Sequence, residues 1–297
     1  MRQQTLAPPA PVSPIIRAAL WMGGAMCCFM AMAVSGRELA RELTTFQVLF
    51  FRSLVGLAVI VVFLYRAGWT HVRTHVFGTP VFGTHLIRNL THFAGQYGWF
   101  YGVALIPLTE VFALEFTMPI WTAVLAPFLL GERMTRTRAL VVAIGFAGTL
   151  IILRPGIAIV QPAALAVLGG ALGFALAHVL TKRLSGTQTP LAILFYMTLI
   201  QLPIGFVFAL PNWVWPSVSA WPWVVVVGIA ALFAHYCMTR AFQLADATVV
   251  IPMDFLRLPL IATIGFVFYG ETVDTFVLTG AIVLCAGAWL NIKTAAR

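Results

Sequence analysis

Charge is scarce in this chain. Only 9% of its 297 residues are charged, and acidic residues number nine against eighteen Lys and Arg. Hydrophobic residues make up 61% and mean hydropathy is +0.96. That balance excludes an ordinary soluble domain, in which about a quarter of residues carry charge. No phosphate-binding loop of the G-x-x-x-x-G-K-[ST] kind occurs, so ATP hydrolysis is not expected. Short alternating strands are missing too, which argues against a membrane β-barrel. The four cysteines, Cys27, Cys28, Cys237 and Cys285, lie in apolar runs without metal-ligand spacing. They read as small apolar side chains, and neither a metal nor another cofactor is expected. The first fourteen residues are polar and proline-rich. No cleavage site follows the first apolar run, so it is expected to be retained.

What the chain does have is long apolar stretches. A helix needs about 20 apolar residues to cross a bilayer core. Ten stretches qualify, at 15–36, 44–65, 83–104, 107–130, 137–154, 163–183, 190–210, 221–243, 248–269 and 275–293. They leave no room for a soluble domain. The expected class is an all-α integral membrane protein with ten transmembrane helices, the form that satisfies every backbone group in lipid. Its net charge of +9 does not point to nucleic acid, because the basic residues fall between spans. With the N-terminus inside, the cytoplasmic positions hold Arg2, Arg17, Arg66, Arg73, Arg88, Arg133, Arg136, Arg138, Lys182, Arg183, Arg240, Lys293 and Arg297. Outer positions hold only Arg37, Arg41 and Arg154. This positive-inside bias predicts a multi-pass membrane protein with both termini cytoplasmic. The 211–223 loop has four Trp and no Lys or Arg, as an outer aromatic belt would.

The chain also repeats itself. Gly131-Glu132 recurs as Gly270-Glu271, 139 residues later, and the same offset lays Ala147-Gly148 on Ala286-Gly287 and Glu115 on Asp254. Gly23-Gly24-Ala25 matches Gly169-Gly170-Ala171 at a slightly larger offset. Five spans per half is odd, so the second half is expected to insert upside down, giving two inverted five-helix repeats. The expected division is a tail at 1–14, a first repeat at 15–156 (spans one to five), a second at 157–293 (spans six to ten) and a tail at 294–297. Glycine spacings such as Gly98-x-x-x-Gly102, Gly145-x-x-Gly148 and Gly169/Gly170-x-x-Gly173 suit close helix packing. Pro119, Pro252 and Pro259 sit beside the two repeated carboxylates and predict bends there.

An ionisable side chain at membrane depth is costly and marks a functional site by default. Glu115 and Arg52 lie at similar distances along inward-running spans, which predicts that they pair. Asp254 and Arg257 are spaced i, i+3 and are expected to neutralise each other. Inverted symmetry would put one carboxylate towards the outer end of a cavity and the other towards its inner end. Arg88, His92 and Gln96 form a polar stripe at i, i+4, i+8, followed by Trp99 and Tyr101. His235, 139 residues after Gln96, and Tyr236 are its counterparts in the second half. The candidate substrate-binding or coupling residues are therefore Glu115, Asp254, Arg257, Arg52, His92, Gln96, Trp99, His235 and Tyr236. Arg257 would hold a carboxylate or phosphate, and Glu115 an ammonium or a proton. Structural ion pairs are the alternative.

Several strings together resemble the EamA-type permeases of the drug/metabolite transporter superfamily. They are Phe46-Gln47-Val48-Leu49-Phe50-Phe51-Arg52, Ala104-Leu105-Ile106-Pro107-Leu108-Thr109-Glu110, Gly131-Glu132-Arg133, Arg154-Pro155-Gly156 and Ala241-Phe242-Gln243-Leu244-Ala245-Asp246-Ala247-Thr248. Within that superfamily the pattern is similar to bacterial S-adenosylmethionine uptake carriers, although span nine reads Pro252-Met253-Asp254-Phe255 where an aromatic-basic string is expected. The resemblance implies ten spans around a cavity lined by spans one, three, four, six, eight and nine. It also implies a secondary transporter of the bacterial inner membrane that moves a small organic metabolite (amino-acid-like, nucleoside-like or vitamin-like) by alternating access, in a direction left open. Proton coupling through Glu115 or Asp254, or exchange of one solute for another, would supply the direction, and a Gly-bearing helix face would allow a homodimer. An integral-membrane enzyme and a membrane scaffold without transport are the competing classes. The dispersed carboxylates and short loops give an enzyme little to work with.

Overall fold

The computed structural model describes residues 14–68, 81–130, 136–154, 160–245, 250, 253, 254, 257–272 and 274–295. The pair Gly131-Glu132, Asp246, Pro252, most of the expected boundary between the halves, residues 1–13 of the first tail and residues 296–297 of the second lie outside the described residues. Those described are mostly helical, with no strand among them. The helices are α1 (Pro14–Leu39), α2 (Thr45–Ala67), α3 (Phe82–Leu105), α4 (Leu108–Glu115), α5 (Met118–Leu130), α6 (Arg136–Leu153), α7 (Pro162–Ser185), α8 (Pro190–Ala209), α9 (Trp221–Leu244), α10 (Arg257–Tyr269) and α11 (Thr275–Ala295). Five of them, α1, α2, α7, α8 and α9, are long and apolar enough to cross a membrane. The 24-residue α3 is long enough but carries the polar stripe. The fourth expected span is two helices, α4 and α5, and α10 is short. With α4 and α5 counted together, ten helical units fit the count made from the sequence.

Local chemistry sets the helix starts. Thr44 caps α2 in a capping box: its hydroxyl accepts from the Gln47 N–H (3.3 Å) and its own N–H donates to Gln47 Oε1 (3.2 Å). Gln47 Nε2 then donates to the Val214 carbonyl at 2.5 Å, tying the tryptophan loop to α2. Thr189 caps α8 from the Ala192 N–H, with Pro190 preset at the first helical position.

Polarity runs inside out. Leu20 is 71% exposed and Phe128 81%, whereas Arg52, Arg88 and Arg257 are each at most 2% exposed. In water this would be a failed core; in lipid it is the required arrangement. The main packing pairs are α1 with α9, α3 with α7, α2 with α8 and α6 with α11. Exchanging each span for the one five later turns the first pair into the second and leaves the other two unchanged.

Glycine makes the α3–α7 contact possible. A Cβ on Gly170 would stand 2.8 Å from the Gly95 carbonyl oxygen, and one on Gly173 2.7 Å from that of Thr91. On the facing side, a Cβ on Gly98 would collide with the Ala166 carbonyl, a backbone atom that cannot swing aside. The spacings read as packing signals work here through Gly98, Gly102, Gly170 and Gly173, while Gly169 faces open space. Gly98→Leu is expected to destabilise the protein by about 1–3 kcal/mol or more through overpacking. A detergent-solubilised variant melting at the wild-type temperature would contradict that.

Candidate functional site

The site forms where two helices break. Pro119 has no N–H to donate to the Glu115 carbonyl, so α4 ends at Glu115. The chain turns through Phe116 and Thr117, with the Thr117 hydroxyl donating to the Leu114 carbonyl (2.8 Å), before α5 begins. In the second half, Asp254 likewise lies ahead of α10, outside regular α-helix. Each repeated carboxylate therefore sits at an interruption.

Arg257 joins them. One of its nitrogens, Nη2, donates to Glu115 Oε1 at 3.0 Å and pairs with Asp254 Oδ2 as well. Trp99 Nε1 donates to the other oxygen of Glu115, Oε2, at 2.8 Å. The guanidinium also lies over Phe29 (4.7 Å to the ring centroid) and Phe112 (5.1 Å). All three charged residues are buried. Two carboxylates therefore share one cation, leaving room for one further positive charge or one proton.

These contacts correct two expectations. Glu115 pairs with Arg257 rather than Arg52, and the carboxylates meet at one guanidinium rather than at opposite ends of a cavity. Depth counted at 1.5 Å per residue assumes unbroken helices, and both helices break at the residues in question. The Asp254–Arg257 pair forms as its spacing predicted.

Arg52 belongs to a neighbouring polar layer. The Gln96 amide is assigned from its surroundings. Its oxygen accepts from Arg52 Nη2 (2.7 Å) and Nη1 (3.0 Å), and its nitrogen donates to Gln201 Oε1 (3.1 Å). Nδ1 of His92 lies 3.1 Å from that Gln96 oxygen and 3.0 Å from Gln201 Nε2, so its tautomer selects its amide partner. Deeper along α3, Arg88 donates to Thr181 (3.0 Å) and Asn89 (2.6 Å). The stripe Arg88, His92 and Gln96 is buried throughout, as its spacing required. Asn89 and Gln201 were not picked out as site residues. The signal that points to Gln201 is a lone amide in an apolar run, and Asn89 is likewise a neutral amide within the 83–104 stretch.

A cavity of about 30 Å³ separates the layers, lined by Glu115, Asp254, Arg257, Gln96, Trp99 and His235 together with Phe29, Met32, Phe174, His178 and Met238. That is room for a water molecule and not for a metabolite. His92 packs behind it against His235, ring centroids 4.7 Å apart. Tyr236 is not at this cavity. It meets Trp21 edge-on and lines a separate groove with Ile60, Phe63 and Leu232. Among the described residues no group of three His, Cys, Asp or Glu could hold a metal ion.

At one end of the bundle a polar staple ties α1, α4 and α10 together. Arg37, near the end of α1, donates to the Ile106 carbonyl (2.6 Å) and pairs with Glu271 (3.1 Å). Glu271 accepts from the Leu108 N–H at the start of α4 (2.8 Å). Gly270, at φ 63°, supplies the left-handed turn that closes α10 and aims Glu271 back at these partners. The repeated Gly-Glu signature thus has a mechanical meaning in its second copy. Tyr269 completes the staple by donating to Glu38 (3.0 Å). At the end of α7, Lys182 donates to the carbonyls of Phe242 (2.8 Å) and Ala245 (2.9 Å). Ala245 is the residue 139 positions after Ile106, so Lys182 in the second half does to Ala245 what Arg37 does to Ile106.

The model of the EamA-like transporter family matches the chain twice, over residues 16–154 and 161–293. A S-adenosylmethionine uptake transporter of Rickettsia prowazekii is 27% identical over 251 residues, 84% of each chain. A riboflavin transporter of Rhizobium johnstonii is 30% identical over 79% of this chain and 76% of its own length. A pseudopaline exporter of Pseudomonas aeruginosa is 25% identical over 86% of this chain and 89% of its own. A crystal structure of a protein at 19% identity superposes with a TM-score of 0.67 over 94% of this chain and 98% of that one, which speaks to the fold alone. The family model spans both halves of the sequence, and the chain belongs to the EamA-like transporter family.

Proposed function

We propose that this transporter carries a small organic metabolite across a bacterial inner membrane by alternating access. Its ten spans would form two inverted repeats, with both termini cytoplasmic. The observation that carries the reading is the shared Glu115–Arg257–Asp254 cluster, built from helix breaks at equivalent positions of the two halves. Discontinuous helices at the repeat interface are how secondary transporters build a midplane site. The packing pairs that survive exchange of the halves support the repeat. The staple at Arg37 and Glu271 and the water-sized cavity fit an occluded or outward-closed state.

Substrate cation and proton are alternatives for the spare negative charge of the cluster, so proton coupling and exchange of one solute for another both use the same carboxylates. S-adenosylmethionine and riboflavin, named for two relatives, are the first metabolites to test. Reconstituted vesicles carrying wild type should take up or release one of them, and Glu115→Gln combined with Asp254→Asn should reduce that flux at least tenfold. Flux unchanged in the double variant would remove the carboxylates from the mechanism. Flux insensitive to a pH gradient, yet dependent on solute loaded on the far side, would select exchange over proton coupling.

A further inference from the structure

The buried charges do not balance. Glu115 and Asp254 are the buried carboxylates among the described residues, and Arg257 engages both. Arg52 and Arg88, fully buried as well, form no ion pair among the described residues. Arg88 at least has two oxygen partners in Thr181 and Asn89. Arg52 has one, the Gln96 oxygen, and its Nε has none. An uncompensated buried cation is costly, and a structural arginine normally has its donors filled.

Geometry says what is missing. Nη1 and Nη2 of Arg52 converge on one acceptor at 3.0 and 2.7 Å. This is the fork that a carboxylate or phosphate fills bidentately, with a charge an amide lacks. That acceptor belongs to Gln96, which lines the cavity, so the side chain standing between Arg52 and the cavity is the one that an incoming anion would displace. Arg257 was the candidate anion holder by sequence, but two carboxylates already claim it.

We infer that Arg52, reached by displacement of Gln96, binds an anionic group of the substrate, so the transported metabolite carries a carboxylate or a phosphate. The inference rests on the transporter reading and narrows its substrate class. A metabolite that also carries a positive charge would meet the Glu115–Asp254 side of the cavity at the same time.

Two measurements test it. Arg52→Gln keeps a polar side chain and removes the uncompensated charge, so the purified variant should melt at or above the wild-type temperature. A fall of several degrees would make Arg52 a structural strut and overturn the inference. In vesicles, uptake should be competed by matched probes: S-adenosylmethionine against its decarboxylated form, and riboflavin 5′-phosphate against riboflavin. In at least one pair the anionic member should be tenfold or more the stronger competitor for wild type, with the advantage falling below threefold in Arg52→Gln. Equal potency within both pairs, or an advantage that survives the substitution, would overturn the assignment. A wild type without any uptake would count against the transporter reading, while the melting comparison would still decide the role of Arg52.

Discussion

Replacing Arg257 by methionine is expected to cost about 3–5 kcal/mol of stability, because it leaves two buried carboxylates facing each other without a counter-ion. Methionine matches the aliphatic stem and keeps contact with Phe29 and Phe112, so lost packing contributes little of this. What remains is charge: Glu115 would keep its bond from Trp99, while Asp254 would lose its ion-pair partner. The diagnostic variant is the triple neutral one, Arg257→Met with Glu115→Gln and Asp254→Asn. Removing all the charges together removes the desolvation cost along with the attraction, so it should recover most of the lost melting temperature. It should also remain inactive in flux. Recovery of stability without recovery of transport would show the cluster maintained for function. An Arg257→Met protein that melts like wild type would mean that the carboxylates find other partners, and the cluster as described would be wrong.

How much of this was legible in the sequence depends on which interaction is asked about. Long apolar runs announce helices by a local property, and the i, i+3 pairing of Asp254 with Arg257 is local too. Both were readable. The repeat offset found Glu115 and Asp254 as equivalents, but not that they share a nitrogen. That fact depends on where α4 stops, and a proline four residues after a carboxylate reads equally well as a bend or a break. The Arg52 layer was least legible. Its contacts join α2, α3 and α8 through Gln96, Gln201 and His92, and amides pair across such distances with no period to betray them. Tyr236 shows the converse error. It follows His235 immediately, so on a helix its side chain points elsewhere, here into a groove away from the cavity.

The staple between α1, α4 and α10 yields the second large effect. Glu271→Gln should release α10 from α1 and α4, because the carboxylate ties Arg37 to the Leu108 N–H through charge-assisted bonds. Such bonds are worth about 1.5–3 kcal/mol when partly buried, so the balance should move roughly tenfold or more towards the state open at that end. The readout is chemical access. With the native cysteines replaced by serine and Met32→Cys placed in the cavity wall, a membrane-impermeant thiol reagent added outside should label the Glu271→Gln protein at least ten times faster. Arg37→Gln should act in the same direction, since it removes the ion pair and the bond to Ile106 together. If instead labelling accelerates only when the reagent is added from the cytoplasmic side, the staple closes the inner end and the expected topology is inverted. The mirrored contact makes the argument symmetrical: Lys182 holds Ala245 as Arg37 holds Ile106, so Lys182→Gln should speed labelling from the opposite side. A transporter that rocks between its halves needs one latch at each end, and opposite responses to the two substitutions would identify both.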